Sequence, residues 1–304
     1  MSPPMSLFAP SIARPAHHPV KVARVLSRLL LWGILIVLLI LCNDAFADHP
    51  SGLQIKSSSA LIVDAEGNRL YGKNTLEVKP IASITKLMMA MVVLDARVPL
   101  ETPITIIEAD RDRLRHSRSR LRIDQARLSR RELLMVALMS SDNRAAAALG
   151  RTTFQGGTAR FVEAMNRKAQ ALGMHDTQFA DSSGLDNRNR STAEDLVKLV
   201  RAASRYRFIR ETTARGELTV HPFADGTPLE YRNTNPLVRN PAWNVQVSKT
   251  GYINEAGHCL VMQTEIDGRQ LYVVLLDAAG KLTPVGDSNR LRAWLIGGRR
   301  LAEN

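Results

Sequence analysis

Three short groups of residues in this chain could do chemistry together. In Ile81-Ala82-Ser83-Ile84-Thr85-Lys86 a hydroxyl and an amine stand three residues apart, where an apolar helical pattern through Met88, Met89, Val92 and Val93 begins. Positions i and i+3 share a helix face, so Ser83 and Lys86 can touch without help from the rest of the fold. Pro80 keeps the helix from starting much earlier, which places Ser83 in its first turn beside unpaired N–H groups and the positive end of the dipole. Alone, such a pair reads as a helix cap and a solvated charge, because S-x-x-K is common by chance.

The second group, Ser141-Asp142-Asn143, lies at a break between two helical patterns, where a hydroxyl and an amide can point into a cleft. The third, Lys249-Thr250-Gly251, ends an apolar strand pattern, and Gly251 leaves room for an extended ligand along the strand edge. In this order, separated by 58 and then 108 residues, the groups carry far more weight than any one of them. They describe a serine nucleophile whose base is a lysine. Burial and a neighbouring cation such as Lys249 would lower the pKa of Lys86 enough for it to take the Ser83 proton. Ser141 could relay a proton to a leaving amine, Asn143 could bond a substrate amide, and Lys249 with Thr250 could hold a carboxylate.

The elements that must position these groups follow from patterning. Ala60–Val63 and Arg69–Tyr71 flank turn-forming residues and read as a hairpin; the Ser83 helix then runs to about Leu94. Ser129 and Glu132 are spaced as a capping box for a helix through Met139, which resumes from Arg144 to Leu149 with Gly150 as its stop. A helix spans about 158–172, and another opens at Ser191-Thr192-Ala193-Glu194, spaced as a second capping box. Beyond Leu218 the pattern turns to strands at 245–249, 258–266 and 271–276, the last two joined by Asp267-Gly268, before a closing helix at about 288–295. Strands at both ends with helices between predict one antiparallel sheet, a sheet part at 48–95 and 218–304 and a helical part at 96–217.

Composition narrows the setting. Leu29 to Cys42 is fourteen unbroken apolar residues, preceded by Lys21, Arg24 and Arg28 and followed by Ala45-Phe46-Ala47. That is short for a membrane span and fits a signal peptide over 1–47, cut after Ala47; an uncleaved anchor is the alternative. The net charge is +12, and about +9 once residues 1–47, with four basic residues and one acidic, are removed. An exported basic protein meets anionic lipid or an acidic wall polymer rather than nucleic acid, and the arginine-rich stretch Arg111–Arg131 has no interleaved aromatic residue to stack a base. That stretch reads as a solvated charged face or a docking surface for a carboxylate-rich polymer, and the basic surface suggests loose membrane or wall association. Cys259 is the only cysteine after Ala47 and reads as a core residue. His116, His175, His221 and His258 lack metal-ligand spacing, so neither a metal nor a cofactor is implied.

With its three motifs in this order, the chain resembles the serine penicillin-binding proteins and β-lactamases. Asn143-Arg144-Ala145-Ala146, Ser191-Thr192-Ala193-Glu194-Asp195-Leu196 and Lys249-Thr250-Gly251-Tyr252-Ile253-Asn254-Glu255-Ala256-Gly257 look like the low-molecular-mass D-alanyl-D-alanine peptidases, over about Ala60 to Leu295. The resemblance implies a β-lactamase/transpeptidase-like α+β fold, an antiparallel sheet flanked by helices with an inserted helical subdomain. It also implies an acyl-enzyme on Ser83, an oxyanion hole from the backbone N–H groups of Ser83 and Tyr252, peptidoglycan peptide cross-links as substrate, and β-lactams as covalent inhibitors. With 53 residues after Gly251, the chain looks most like the short endopeptidases. A carboxypeptidase trimming pentapeptide stems is the nearest alternative, and a non-catalytic wall- or β-lactam-binding protein is one of a different class. A class A β-lactamase would need a glutamate in an E-x-x-L-N context, which neither Glu163 nor Glu194 has.

Overall fold

The computed structural model describes residues 52–302; the expected signal peptide and its cleavage site after Ala47 lie outside them. Strands β1 (Ser59–Asp64) and β2 (Arg69–Lys73) pair antiparallel around a turn that Asp64 ties by accepting from Gly67 N and Asn68 N at 2.9 and 2.7 Å. After the short strand β3 (Lys79–Pro80) comes a 3-10 turn, Ala82–Ile84, then helix α1 (Thr85–Asp95). Strands β4 (Pro103–Thr105) and β5 (Arg127–Ser129) form a two-stranded pair leading into α2 (Arg130–Met139), α3 (Asn143–Thr152) and α4 (Gly157–Ala171). Strand β6 (Arg190–Ser191) pairs with β3, and α5 (Ala193–Ala203) and α6 (Arg207–Thr213) follow. A hairpin of β7 (Glu217–Val220) and β8 (Leu229–Arg232) precedes the long strands β9 (Asn244–Ile253), β10 (Gly257–Ile266) and β11 (Arg269–Ala278), and α7 (Thr283–Ala302) is the last element among the described residues.

The main sheet has the order β2-β1-β11-β10-β9, so the N-terminal hairpin joins the C-terminal strands through β1 and β11, in register from Ser59 opposite Leu276 to Asp64 opposite Leu271. Alternation along each strand divides its apolar residues between two cores. Leu61, Val63, Val247, Val261 and Val274 face the helices, whereas Ala60, Ile62, Leu260, Met262 and Val273 face the side that Leu291 of α7 covers. Helix α1 is buried from Thr85 to Val93 and so is enclosed on all sides. This explains the methionines: Met88, Met89, Met91 and Met139 fill the helical core. Cys259 is likewise buried, which pushes its thiol up to about 12.

The structure confirms the terminal sheet, the Ser129–Glu132 capping box and the turn at Asp267-Gly268, where both residues have positive φ. It differs in five places. Gly150 does not stop a helix but lies inside α3, where a Cβ would stand 2.7 Å from Ser182 Oγ; it is glycine for close packing. The cap of α5 is Thr192, accepting from Asp195 N, one residue later than the expected box, because Glu194 turns outward to Arg69. Helix α7 starts five residues earlier than expected and runs farther, and α6 with the β7–β8 hairpin has too short a pattern to be read in advance. The arginine-rich stretch is only partly a solvated face: Arg130 is 5% exposed and reaches Thr152, while Arg120 and Arg122 stack on Tyr231 and Phe223 at 4.4 and 4.1 Å. The aromatic partners are supplied by the distant hairpin.

One buried carboxylate ties the segment before β1 to α7. Asp287 of α7 accepts from Lys56 N, Ser57 N and Ser57 Oγ at 2.8, 2.8 and 2.6 Å. Burial works to raise its pKa, but these hydrogen bonds and Arg290 win and hold it below the usual carboxylate range. A depressed pKa adds stability that is present above the unfolded value and lost as pH falls through the folded one. Asp287→Ala, which strands these donors, is expected to cost about 2–4 kcal/mol in urea unfolding at pH 7. The difference from wild type should shrink below about pH 4; an undiminished difference there would remove the carboxylate's charge from the account.

Candidate active site

The 3-10 turn presents Ser83, and its geometry is unusual from the first residue. Ala82 has φ +46°, a left-handed conformation that costs a non-glycine residue energy and is kept only where surroundings enforce it. Two glycines enforce it here. A Cβ on Gly184 would lie 2.0 Å from Ala82 O, and one on Gly251 would lie 2.9 Å from Ile81 O and 3.2 Å from Ser83 N. The backbone of residues 81–83 is thus clamped between the 181–186 loop and the edge strand β9.

Lys86 lies on the first turn of α1, fully buried, with its Nζ 2.8 Å from Ser83 Oγ, 2.8 Å from Asn143 Oδ1 and 2.6 Å from Ser183 O. Burial lowers its pKa to about 8, although Asp181 and Asp142 oppose that fall. In the neutral form of this amine the donor and acceptor count has one solution. A neutral amine keeps two N–H donors and one lone pair. The Ser183 carbonyl and the Asn143 amide oxygen can only accept, so the lone pair is left for Ser83 Oγ, the one partner able to donate. Asn143 is oriented in turn by donating from Nδ2 to Ser117 Oγ at 2.9 Å.

Across the site, Lys249 on β9 is 1% exposed, 2.9 Å from both Ser141 Oγ and Thr250 O. Burial, and then the charge of Lys86, pull Lys249 well below its usual value. Of the two causes expected to lower Lys86, burial is the one at work, and the push between the two cations acts on Lys249. Ser141 has φ +65°, again left-handed, at the break between α2 and α3, with Asp142 capping α3 by accepting from Ala145 N at 3.0 Å. Thr250 Oγ1 meets Thr234 Oγ1 at 2.7 Å, and Tyr252 is half exposed with its ring stacked on His258.

All eight residues singled out from the sequence thus lie at one junction of α1, the α2–α3 break and β9. Sequence reasoning missed Ser117, Thr234 and the Asp181–Asp186 loop. The loop does carry a signal: Asp181 accepts from Ser183 N and Gly184 N at 2.7 and 2.5 Å and from Asp186 N at 2.8 Å, the self-bonding that an aspartate before Ser-Ser-Gly favours. Glu163 is exposed and paired with Arg160 and Arg167, and Glu194 is paired with Arg69, so neither is free to activate a water here.

Residues 44–280 match the family described as D-alanyl-D-alanine carboxypeptidase. A D-alanyl-D-alanine endopeptidase of Pseudomonas aeruginosa is 45% identical over 254 residues, covering 83% of this chain and 81% of its own. Its namesake in Escherichia coli is 44% identical over 260 residues, covering 84% and 83%. Among solved structures, a variant of the Streptomyces K15 DD-transpeptidase superposes with a TM-score of 0.72 at 26% identity, covering 78% of this chain and 96% of that one. The fold is therefore that of the DD-peptidases and transpeptidases, and the chain belongs to the D-alanyl-D-alanine carboxypeptidase family of serine peptidases.

Proposed function

We propose that this enzyme is a D-alanyl-D-alanine endopeptidase that hydrolyses D-Ala–diamino acid cross-links of peptidoglycan through an acyl-enzyme on Ser83. The observation that carries the reading is the buried Lys86 amine, whose lone pair has only Ser83 Oγ to face. Lys86 takes the Ser83 proton as Oγ attacks the D-Ala carbonyl. The backbone N–H groups of Ser83 and Tyr252 receive the oxyanion; the close packing of Gly251 on Ser83 N supports that pairing. Ser141 passes a proton to the departing amine, Asn143 bonds the acyl-side amide, and water then releases the acyl group.

Lys249 and Thr250 hold the carboxylate beside the scissile bond. A buried lysine with a depressed pKa regains its charge when a carboxylate docks on it, and that charge in turn presses on Lys86 to stay neutral. Substrate binding thus arms the base. The relatives named endopeptidases favour a cross-linked peptide over a pentapeptide stem; the carboxypeptidase reading attacks the same carbonyl and differs only in the leaving amine. A β-lactam offers the same amide and carboxylate and would acylate Ser83. We further infer a periplasmic location after cleavage at Ala47, with a membrane-anchored form as the alternative, and loose association of the basic surface with membrane or wall.

Incubating the mature protein with purified cross-linked dimeric muropeptide and with monomeric pentapeptide tests the assignment. Dimer cleavage is expected, reduced about a thousandfold or more in Ser83→Ala. Release of D-Ala alone would establish the carboxypeptidase, and turnover of neither would defeat the enzymatic role. The rate of Ser83 acylation by a fluorescent penicillin should rise with pH as Lys86 loses its proton, with a limb near pH 8. Below that limb it should fall about tenfold per unit; a flat profile from pH 6 to 9 would remove Lys86 as the base.

A further inference from the structure

One ion pair spans the mouth of the site without serving any step above. Arg115 donates from Nη2 to Glu255 Oε1 at 2.9 Å and from Nε to Leu185 O at 2.5 Å. It links three segments: its own loop, which two residues on supplies Ser117 to Asn143; the 181–186 loop, whose Gly184 abuts Ser83 N; and the turn that follows β9. The loop is built to hold it. Asp112 accepts from Leu114 N, Arg115 N and Ser117 N, and His116 at φ +54° turns Ser117 inward. Both charges keep a wet side, with Arg115 23% and Glu255 42% exposed.

The position along β9 says what passes this pair. The proposed order on that strand is the leaving-side carboxylate at Lys249 and Thr250, the scissile carbonyl at Tyr252, and so the acyl side of the peptide beyond it, toward Glu255. We propose that Arg115 and Glu255 are specificity-determining residues that bind the amino-carboxylate end of the diamino acid on the acyl side. This deepens the endopeptidase reading and rests on it. A zwitterion matches an ion pair charge for charge: its carboxylate takes the Arg115 fork in place of Glu255, and its ammonium takes Glu255. In the free enzyme each residue therefore stands in for the substrate group its partner will meet.

The test measures kcat/KM of the mature protein on two cross-linked dimers that differ only in whether the acyl-side diamino acid carries a free or an amidated carboxylate, with penicillin acylation measured alongside. Arg115→Ala should lower turnover of the free-carboxylate dimer about 10- to 100-fold, the size of a lost hydrogen bond to a charged group, and leave the amidated dimer and penicillin acylation within about twofold. Glu255→Gln, which preserves shape should Arg115→Ala fold poorly, should likewise spare penicillin acylation and lower turnover of the free-amine dimer relative to its N-acetylated form. Equal loss on all substrates, or no loss on any, would overturn the proposal. Wild-type protein that is acylated by penicillin yet cleaves neither dimer would instead overturn the endopeptidase reading beneath it.

Discussion

The structure depends on keeping one amine dry. Lys86 is enclosed on the first turn of a helix that is itself buried from Thr85 to Val93, and an isolated ammonium in such a place would be expensive. The fold meets that cost by two routes at once. Three oxygens reach the amine, and burial lets it shed its proton near neutral pH. What stabilises the neutral lysine is therefore also what fits it for the role of base proposed above. A histidine in the same place could not satisfy two fixed acceptors and still face the serine, since a neutral imidazole offers one donor and one acceptor.

That constraint explains why so distant parts of the chain converge. The Asn143 oxygen arrives from the break between α2 and α3, and the Ser183 carbonyl from a loop shaped by Asp181. The second lysine comes from β9, the edge of a sheet that is closed only when the N-terminal hairpin joins β11. Packing on both faces of the sheet holds that edge still. The methionine-rich helical core and the α7 side thus act on catalysis indirectly, by fixing where β9 lies relative to the 3-10 turn.

How much of this could be read in advance follows the same division. Ser83, Lys86, Ser141, Asn143 and Lys249 were legible because their side-chain types and order state a chemistry. The sheet was legible because alternation and turn residues such as Asp267-Gly268 report local geometry. Contacts formed only in three dimensions were not. Arg120 and Arg122 looked solvated because Tyr231 and Phe223 lie about a hundred residues away, and Gly150 looked like a helix stop because nothing in its neighbourhood announces Ser182. Burial and Lys249 were both expected to lower the pKa of Lys86, and burial is the cause that acts there, since a sequence shows charges but not how dry they are.

The least legible feature is the backbone around Ser83. Neither alanine nor serine favours positive φ, yet Ala82 at +46° and Ser141 at +65° both adopt it beside the reacting groups. Such conformations persist only when neighbours over-determine them, and at Ala82 the neighbours are two glycines from separate segments, Gly184 and Gly251. A side chain on either would push the turn away. The clamp fixes the direction of the Ser83 N–H as firmly as Lys86 fixes its hydroxyl, so one residue can present a nucleophile and a donor together. A freely mobile turn could hold the same atoms but not both alignments at once, and rate enhancement from preorganised donors requires both.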